Sequence, residues 1–260
     1  MRRLLFLSIL VACPLLHAAE TIPYELKNVG ITEHLGKTID LNLKFKDDTG
    51  KTVVLKDYFG GKKPVILTLA YYGCPNLCGL LMNGVADSFK DLKWAPGQEF
   101  EYVNVSIDPT ETPTLAAEKK ANYIKMSGRP QTADGWHFLV GDDKTIHALA
   151  QQVGYAYYYD KDEQQYAHGS AIFVLTPDGT LSRYLFGVTF EPRDMRLALL
   201  EASSGKIGNI VDHILLYCYR YDPKSRKYSL LATRMMKVAA GATLFGVVAG
   251  IMVLRKRHNV

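Results

Sequence analysis

Cysteine is scarce in this 260-residue chain, with Cys13, Cys74, Cys78 and Cys218 the only four. So few, spread so widely, exclude a small disulfide-stapled scaffold. Charge of one sign is lacking too. Lysine and arginine total 31 against 26 acidic residues, a formal charge of +5, with basic residues gathered toward the two ends. No basic stripe with interleaved aromatics occurs, which excludes a nucleic acid as partner. Repeats and low-complexity tracts are absent, which excludes a solenoid. At 48% hydrophobic and 22% charged residues, what remains is a globular chain with room for one good-sized core.

Two apolar runs stand apart from that core. At the front, Arg2 and Arg3 precede an apolar run from Leu4 to Leu16, with Ala18 and Ala19 behind it. This is the layout of a cleavable secretory signal over residues 1–19, and the run is short for a membrane span. The stretch Leu10-Val11-Ala12-Cys13 also has the form of a lipoprotein processing site, with Cys13 the residue to be lipidated. At the back, residues 235–254 are apolar apart from Lys237, and Arg255, Lys256 and Arg257 follow. That length matches the roughly 20 residues of a spanning helix, and the positive flank favours the cytoplasmic side. The expectation is a bacterial inner-membrane protein with one C-terminal transmembrane helix, its domain in the periplasm and residues 255–260 in the cytoplasm. Without the signal, three cysteines remain, an odd number for an oxidising compartment.

Between these ends the pattern alternates. Ile39, Leu41, Leu43 and Phe45, the turn KDDTGK and then TVVLKDYF read as a hairpin. VILTLAYY reads as a buried strand, Leu80 to Trp94 as a helix, and EFEYVNVSID as a second strand. Thr112 caps a helix with Pro113 at its first position. WHFLVG is a short strand, DDKTIHALAQQVG a helix closed at Gly154, and SAIFVLTPDGTLSRYLFG a hairpin turning at Pro177-Asp178-Gly179. PRDMRLALLEAS is a last amphipathic helix. The order predicts an α/β, thioredoxin-like fold with an N-terminal β-hairpin extension over residues 20–205. Residues 206–234 then form a juxtamembrane linker.

The chemistry concentrates in YYGCPNLCGLLMNG, residues 71–84, where strand passes into helix. A cysteine at a helix N-terminus feels the positive end of the helix, which lowers its pKa. Residues four apart share a helix face, with Cβ atoms about 5–6 Å apart. Cys74 and Cys78 therefore suit a disulfide, a redox dithiol or half of a metal site. Two thiolates are an incomplete set for most metals, and histidine is the commonest addition. His137 and His147 read as packing or surface residues; His34 precedes the hairpin, His213 lies in VDHILLYCY and His258 in the tail. His168, in YAHGSAIFVLTPDG, stands just before the strand that a thioredoxin-like sheet places next to the cysteine turn. There it occupies the place where thioredoxins usually carry a cis-proline.

With these stretches in hand, the sequence resembles the Sco/SenC family of copper-binding, thioredoxin-like proteins, which assist assembly of the binuclear copper centre of cytochrome c oxidase. YYGCPNLCGLLMNG, VSIDPTETP, GWHFLVG and YAHGSAIFVLTPDG carry the resemblance, over residues of about 35 to 200. It implies a trigonal site for one copper ion, Cu(I) or Cu(II), made by Cys74, Cys78 and His168, with Asp108 nearby. It implies as partner the copper-bearing subunit of the oxidase or another copper chaperone. Tyr71, Tyr72 and Phe173 would wall the site, or fill the core. The anchor departs from the pattern, since many family members are held by an N-terminal helix. Cys218 lies outside the shared motifs and reads as a buried thiol.

Other readings of the same turn stand beside this one. As a thiol–disulfide reductase, Cys74 would attack and Cys78 resolve, with no need of His168. A peroxidase would need a TxxC stretch, which does not precede Cys74. A purely structural disulfide would close too small a loop to stabilise much.

Overall fold

The computed structural model describes residues 29–74, 77–203, 219–222, 227–230 and 232–258. The expected signal, Cys13, His213 and Cys218 lie outside them. The centre of the molecule is β4 (Val65–Leu69), in which all five residues are buried. An apolar strand of this kind is stable only where both edges are paired and both faces covered. Here β5 (Glu101–Val105) pairs with it in parallel and β9 (Ala171–Leu175) antiparallel. β6 (Trp136–Leu139) continues the parallel set beyond β5, and β10 (Leu181–Phe186) closes the other edge as the hairpin partner of β9. The resulting order, β10-β9-β4-β5-β6, is the mixed sheet that the alternating pattern predicts.

Helix α1 (Leu77–Asp91) follows β4 and packs on both α2 (Pro113–Met126) and α4 (Pro192–Ala202). It begins three residues before the expected Leu80, which takes Cys78 into its first turn. Gly84 allows the close approach of α1 to the chain after β10, because a Cβ there would sit 1.9 Å from the Val188 carbonyl oxygen. Thr112 caps α2 as expected, its Oγ1 accepting from Leu115 N at 3.3 Å with Pro113 in the first turn. Helix α3 (Asp143–Gln152) ends at Gly154, whose φ of +68° is the expected left-handed closure. The N-terminal hairpin is shorter than its apolar pattern suggests: β2 (Lys44–Lys46) and β3 (Thr52–Val54) hold three residues each.

One element departs from the reading of the sequence. Residues 155–168, left there without a strand, form a second sheet from β7 (Tyr155–Asp160) and β8 (Gln165–His168). β1 (Gly30–Ile31) adds to β7, giving the order β1-β7-β8. The turn is built by Asp160, whose Oδ1 accepts from the backbone of Asp162 and Glu163 at 2.9 and 3.1 Å. His168 therefore ends a strand of this small sheet.

The C-terminal expectation also needs correction. β11 (Tyr219–Asp222) and β12 (Lys227–Leu230) pair antiparallel within residues 206–234, and α5 (Ala232–His258) covers the apolar run. Yet among the described residues no helix is long and apolar enough to cross a membrane. The run is diluted by Lys237 and by small residues, the AAGA stretch at 239–242 with Gly246, Ala249 and Gly250. Such residues offer little apolar area to bury.

At the far edge of the main sheet, Glu101 accepts from Lys63 Nζ at 2.8 Å and lies 3.1 Å from His137 Nε2. Burial pushes the Glu101 carboxyl up, but the His137 and Lys63 contacts outweigh it and hold the group below its usual value. A carboxylate lowered in the folded state adds stability above its unfolded pKa and loses it as pH falls through the folded one. Urea unfolding of the parent and Glu101→Gln across the acidic range should show a gap that narrows as pH falls. A gap independent of pH would refute this account of Glu101.

Candidate metal centre

The C-terminal end of β4 releases the chain into the cysteine turn, with Cys74 N donating to the Tyr71 carbonyl at 3.4 Å. Cys78 N, one of the amides a helix start leaves without an intrahelical partner, donates to Cys74 Sγ at 3.4 Å. Antiparallel β9 begins at the same end of the sheet, three residues beyond His168, so the end of β8 is delivered to the turn. Cys78 Sγ and His168 Nε2 lie 2.8 Å apart. The donor atoms of Cys74, Cys78 and His168 all fall within 4.8 Å of one another, as the sequence leads one to expect. Cys74 is half-buried, while Cys78 is fully buried and His168 only 9% exposed.

The protonation pattern follows from the partners. His168 Nδ1 is 2.7 Å from the Gly169 carbonyl oxygen, which can only accept. Nδ1 therefore carries the proton, and Nε2 turns its lone pair toward the Cys78 thiol. The hydrogen bond with Cys74 and then burial push the Cys78 thiol well above its ordinary value. This corrects the expectation of a lowered pKa at the helix N-terminus for Cys78: thiol–thiol contact and burial outweigh the helix end. Neither Cys74 nor Cys78 is in a disulfide.

The expected walls divide. Tyr71 stands edge-on to the His168 ring with centroids 6.2 Å apart. Tyr72 turns away, its hydroxyl donating to the carbonyls of Leu139 and Asn104 at 2.9 and 3.2 Å. Phe173 reaches the site only through Tyr155, whose ring lies 6.0 Å from Phe173 and 6.1 Å from His168. Asp108 does not turn to the donors. Its Oδ1 accepts from Thr110 N and Oγ1 at 2.8 and 2.6 Å. Glu111, which the sequence reading missed, reaches the cysteine turn instead. Its carboxylate accepts from Tyr72 N at 2.9 Å, Gly73 N at 2.6 Å and Ser106 Oγ at 2.5 Å. Burial raises its pKa against those three hydrogen bonds. Only its place in VSIDPTETP, beside Asp108, could have pointed to it.

Three other histidines among the described residues are occupied elsewhere. His137 pairs with Glu101 and lies against Tyr58, His147 stacks on Tyr157, and His34 bonds the Gln152 carbonyl. Two soft sulfurs and an imidazole with its lone pair presented suit copper better than zinc, which prefers four closed ligands. The carbonyl holding Nδ1 is the kind of outer support that keeps a ligating imidazole in place.

Comparisons with known proteins agree with this geometry. A family model described as SCO1/SenC matches residues 32–201. The SCO1 protein homolog of Bacillus subtilis is 25% identical over 163 residues, 62% of this chain and 80% of that protein. A crystal structure of a putative electron transfer protein from Aquifex aeolicus superposes with a TM-score of 0.58 at 21% identity, over 66% of this chain and 96% of that one. BsSco, described as a member of the Sco family of cytochrome c oxidase assembly proteins with a disulfide switch, gives 0.54 at 24% identity. The match covers 68% of this chain and 99% of BsSco. These two likenesses support the thioredoxin-like part of the expected fold.

Removing the Glu111 carboxylate strands the amide of buried Tyr72 and the hydroxyl of buried Ser106, and leaves the Gly73 amide to water. Glu111→Ala should lower stability by about 1–3 kcal/mol, read by denaturant unfolding, and should speed alkylation of Cys74 by loosening its turn. Unchanged stability and alkylation would show that Glu111 does not hold the turn.

Proposed function

From the premise that the chain belongs to the SCO1/SenC family, we propose that it is a copper metallochaperone. It holds one copper ion through Cys74, Cys78 and His168 and serves assembly of the copper centre of cytochrome c oxidase. The observation that carries this reading is the convergence of those three donors within 4.8 Å. Copper here is cargo. To receive it the two thiols give up their protons, while His168 Nε2 needs to lose none. Cys78 and His168 are buried and keep the ion; Cys74, half-buried, is the side open to a partner's ligand. The partner is the copper-bearing subunit of the oxidase or another copper chaperone. The signal-like layout of residues 1–19 supports an extracytoplasmic domain.

The same exposure pattern favours a second activity at this site. A half-buried Cys74 above a buried Cys78 is the arrangement of an attacking and a resolving thiol. A reductase of this kind would keep the cysteines of the partner's copper site reduced.

One titration separates the two. The reduced full chain and His168→Ala are titrated with Cu(I) against a competing chelator, and reduction of a model disulfide is followed on the same samples. The expected result is one ion per parent chain and at least a tenfold weaker grip in the variant, about 1.4 kcal/mol or more. Equal, weak binding by both, with reduction intact, would remove copper transfer and leave the dithiol activity.

A further inference from the structure

The stretch YAYYYD has no part in holding the ion, yet its strand pair stands against the site. Tyr71 lies at the start of the cysteine turn, its carbonyl accepting from Cys74 N at 3.4 Å, and burial and then the nearby Cys74 side chain push its hydroxyl well above the ordinary value. The ring of Tyr71 meets that of Tyr166 edge-on, centroids 5.2 Å apart, and Tyr166 meets Tyr159 edge-on at 5.1 Å. Tyr159 is 48% exposed. A line of phenols in ring contact thus runs from the cysteine turn to water. Tyr157 flanks it, 5.9 Å from both Tyr155 and Tyr166.

Packing alone does not account for the hydroxyls. Phenylalanine would fill the same volumes. The Tyr157 hydroxyl is buried with no hydrogen-bond partner among the described residues, a cost of about 1–3 kcal/mol that a phenyl ring avoids. Tyr159 spends its large ring on a position that buries only half of it. What a phenol offers and a phenyl lacks is ready oxidation by one electron with loss of its proton.

We propose that Tyr71, Tyr166 and Tyr159 form a relay that restores the Cys74 thiol after a one-electron oxidation. The damaging oxidant is the hydroxyl radical, formed when peroxide is reduced by one electron. It takes a hydrogen atom from the Cys74 thiol, leaving water and a thiyl radical. The Tyr71 O–H bond then breaks as an S–H bond forms on Cys74, and Tyr71 is left as a neutral phenoxyl radical. Each phenol in turn gives up one electron and its hydroxyl proton and regains both from the next one outward. At Tyr159 a soluble hydrogen donor, an ascorbate or a small thiol, supplies the electron and proton and leaves as its own radical. The net change is one hydrogen atom moved from that donor to the Cys74 sulfur. Unrepaired, the thiyl radical would feed the irreversible oxidation of a ligand cysteine.

The test contains no copper, so it can fail without touching the chaperone reading, and that reading can fail without touching it. The full chain carries Cys13, Cys78 and Cys218 replaced by serine, which leaves Cys74 as its one thiol. S-nitrosated Cys74 is cleaved by a light pulse to the thiyl radical and nitric oxide, and freeze-quenched samples are followed by electron paramagnetic resonance. Released nitric oxide counts the thiyl radicals made, and circular dichroism checks each variant's fold. The expected result is a phenoxyl signal, narrowed by ring-deuterated tyrosine, that grows as the thiyl signal decays. Tyr71→Phe should lose that signal; Tyr159→Phe should keep it but lose its quenching by ascorbate. Should Tyr71→Phe fail to fold, Tyr166→Phe serves, with the phenoxyl confined to Tyr71. Thiyl decay with no phenoxyl signal, or an equal signal in the parent and the phenylalanine variants, would overturn the relay.

Discussion

The 2.8 Å contact between Cys78 Sγ and His168 Nε2 joins residues 90 apart in the chain. It depends on one fact of topology, that β9 lies antiparallel beside β4. Whatever follows β4 must then lie beside whatever precedes β9, and those are the cysteine turn and His168. Neither side chain reaches far, so the positions of the two backbones fix the distance between the donors. A shift of one residue in the β4–β9 register would turn every side chain of the strand to its other face. All residues of both strands are buried, so such a slip would have to refit ten closely packed side chains.

Around that contact the polar groups have little freedom. The Gly169 carbonyl accepts from His168 Nδ1 at 2.7 Å and from the Tyr155 hydroxyl at 3.2 Å, tying the imidazole to an aromatic side chain of the second sheet. On the opposite side, Glu111 takes up the two amides just ahead of Cys74. The cysteines are therefore held from α2's leading loop and the histidine from β7. These are separate supports, joined at the Cys78–His168 contact.

How far the sequence could be read depended on what each residue reports. The buried strand β4, the Thr112 cap, the Gly154 closure and the β9–β10 hairpin each leave a local signature of period, cap or turn, and all were legible. So were Cys74, Cys78 and His168, because the order of strands and helices already places the two motifs at one sheet end. The β7–β8 pair was not read, although Tyr155, Tyr157 and Tyr159 alternate, because a tyrosine-rich run next to charged residues resembles a loop in composition. Glu111 was passed over for Asp108 because no local pattern tells which of two neighbouring acids points inward; only tertiary packing decides that. At the C-terminus, an apolar run framed by positive charge read as a span. The small residues within it give the structure a helix without the apolar surface of one.

The arrangement also sets a timetable. The two cysteines leave the ribosome some 90 residues before their histidine, on the order of ten seconds at ordinary elongation rates. During that interval the dithiol exists without its third donor. Only when β9 slots between β4 and β10, a long-range closure that local contacts cannot hasten, does the trio come together. A nascent chain thus cannot present all three donors to an ion before the sheet is finished, and the candidate site is tied to completion of the fold.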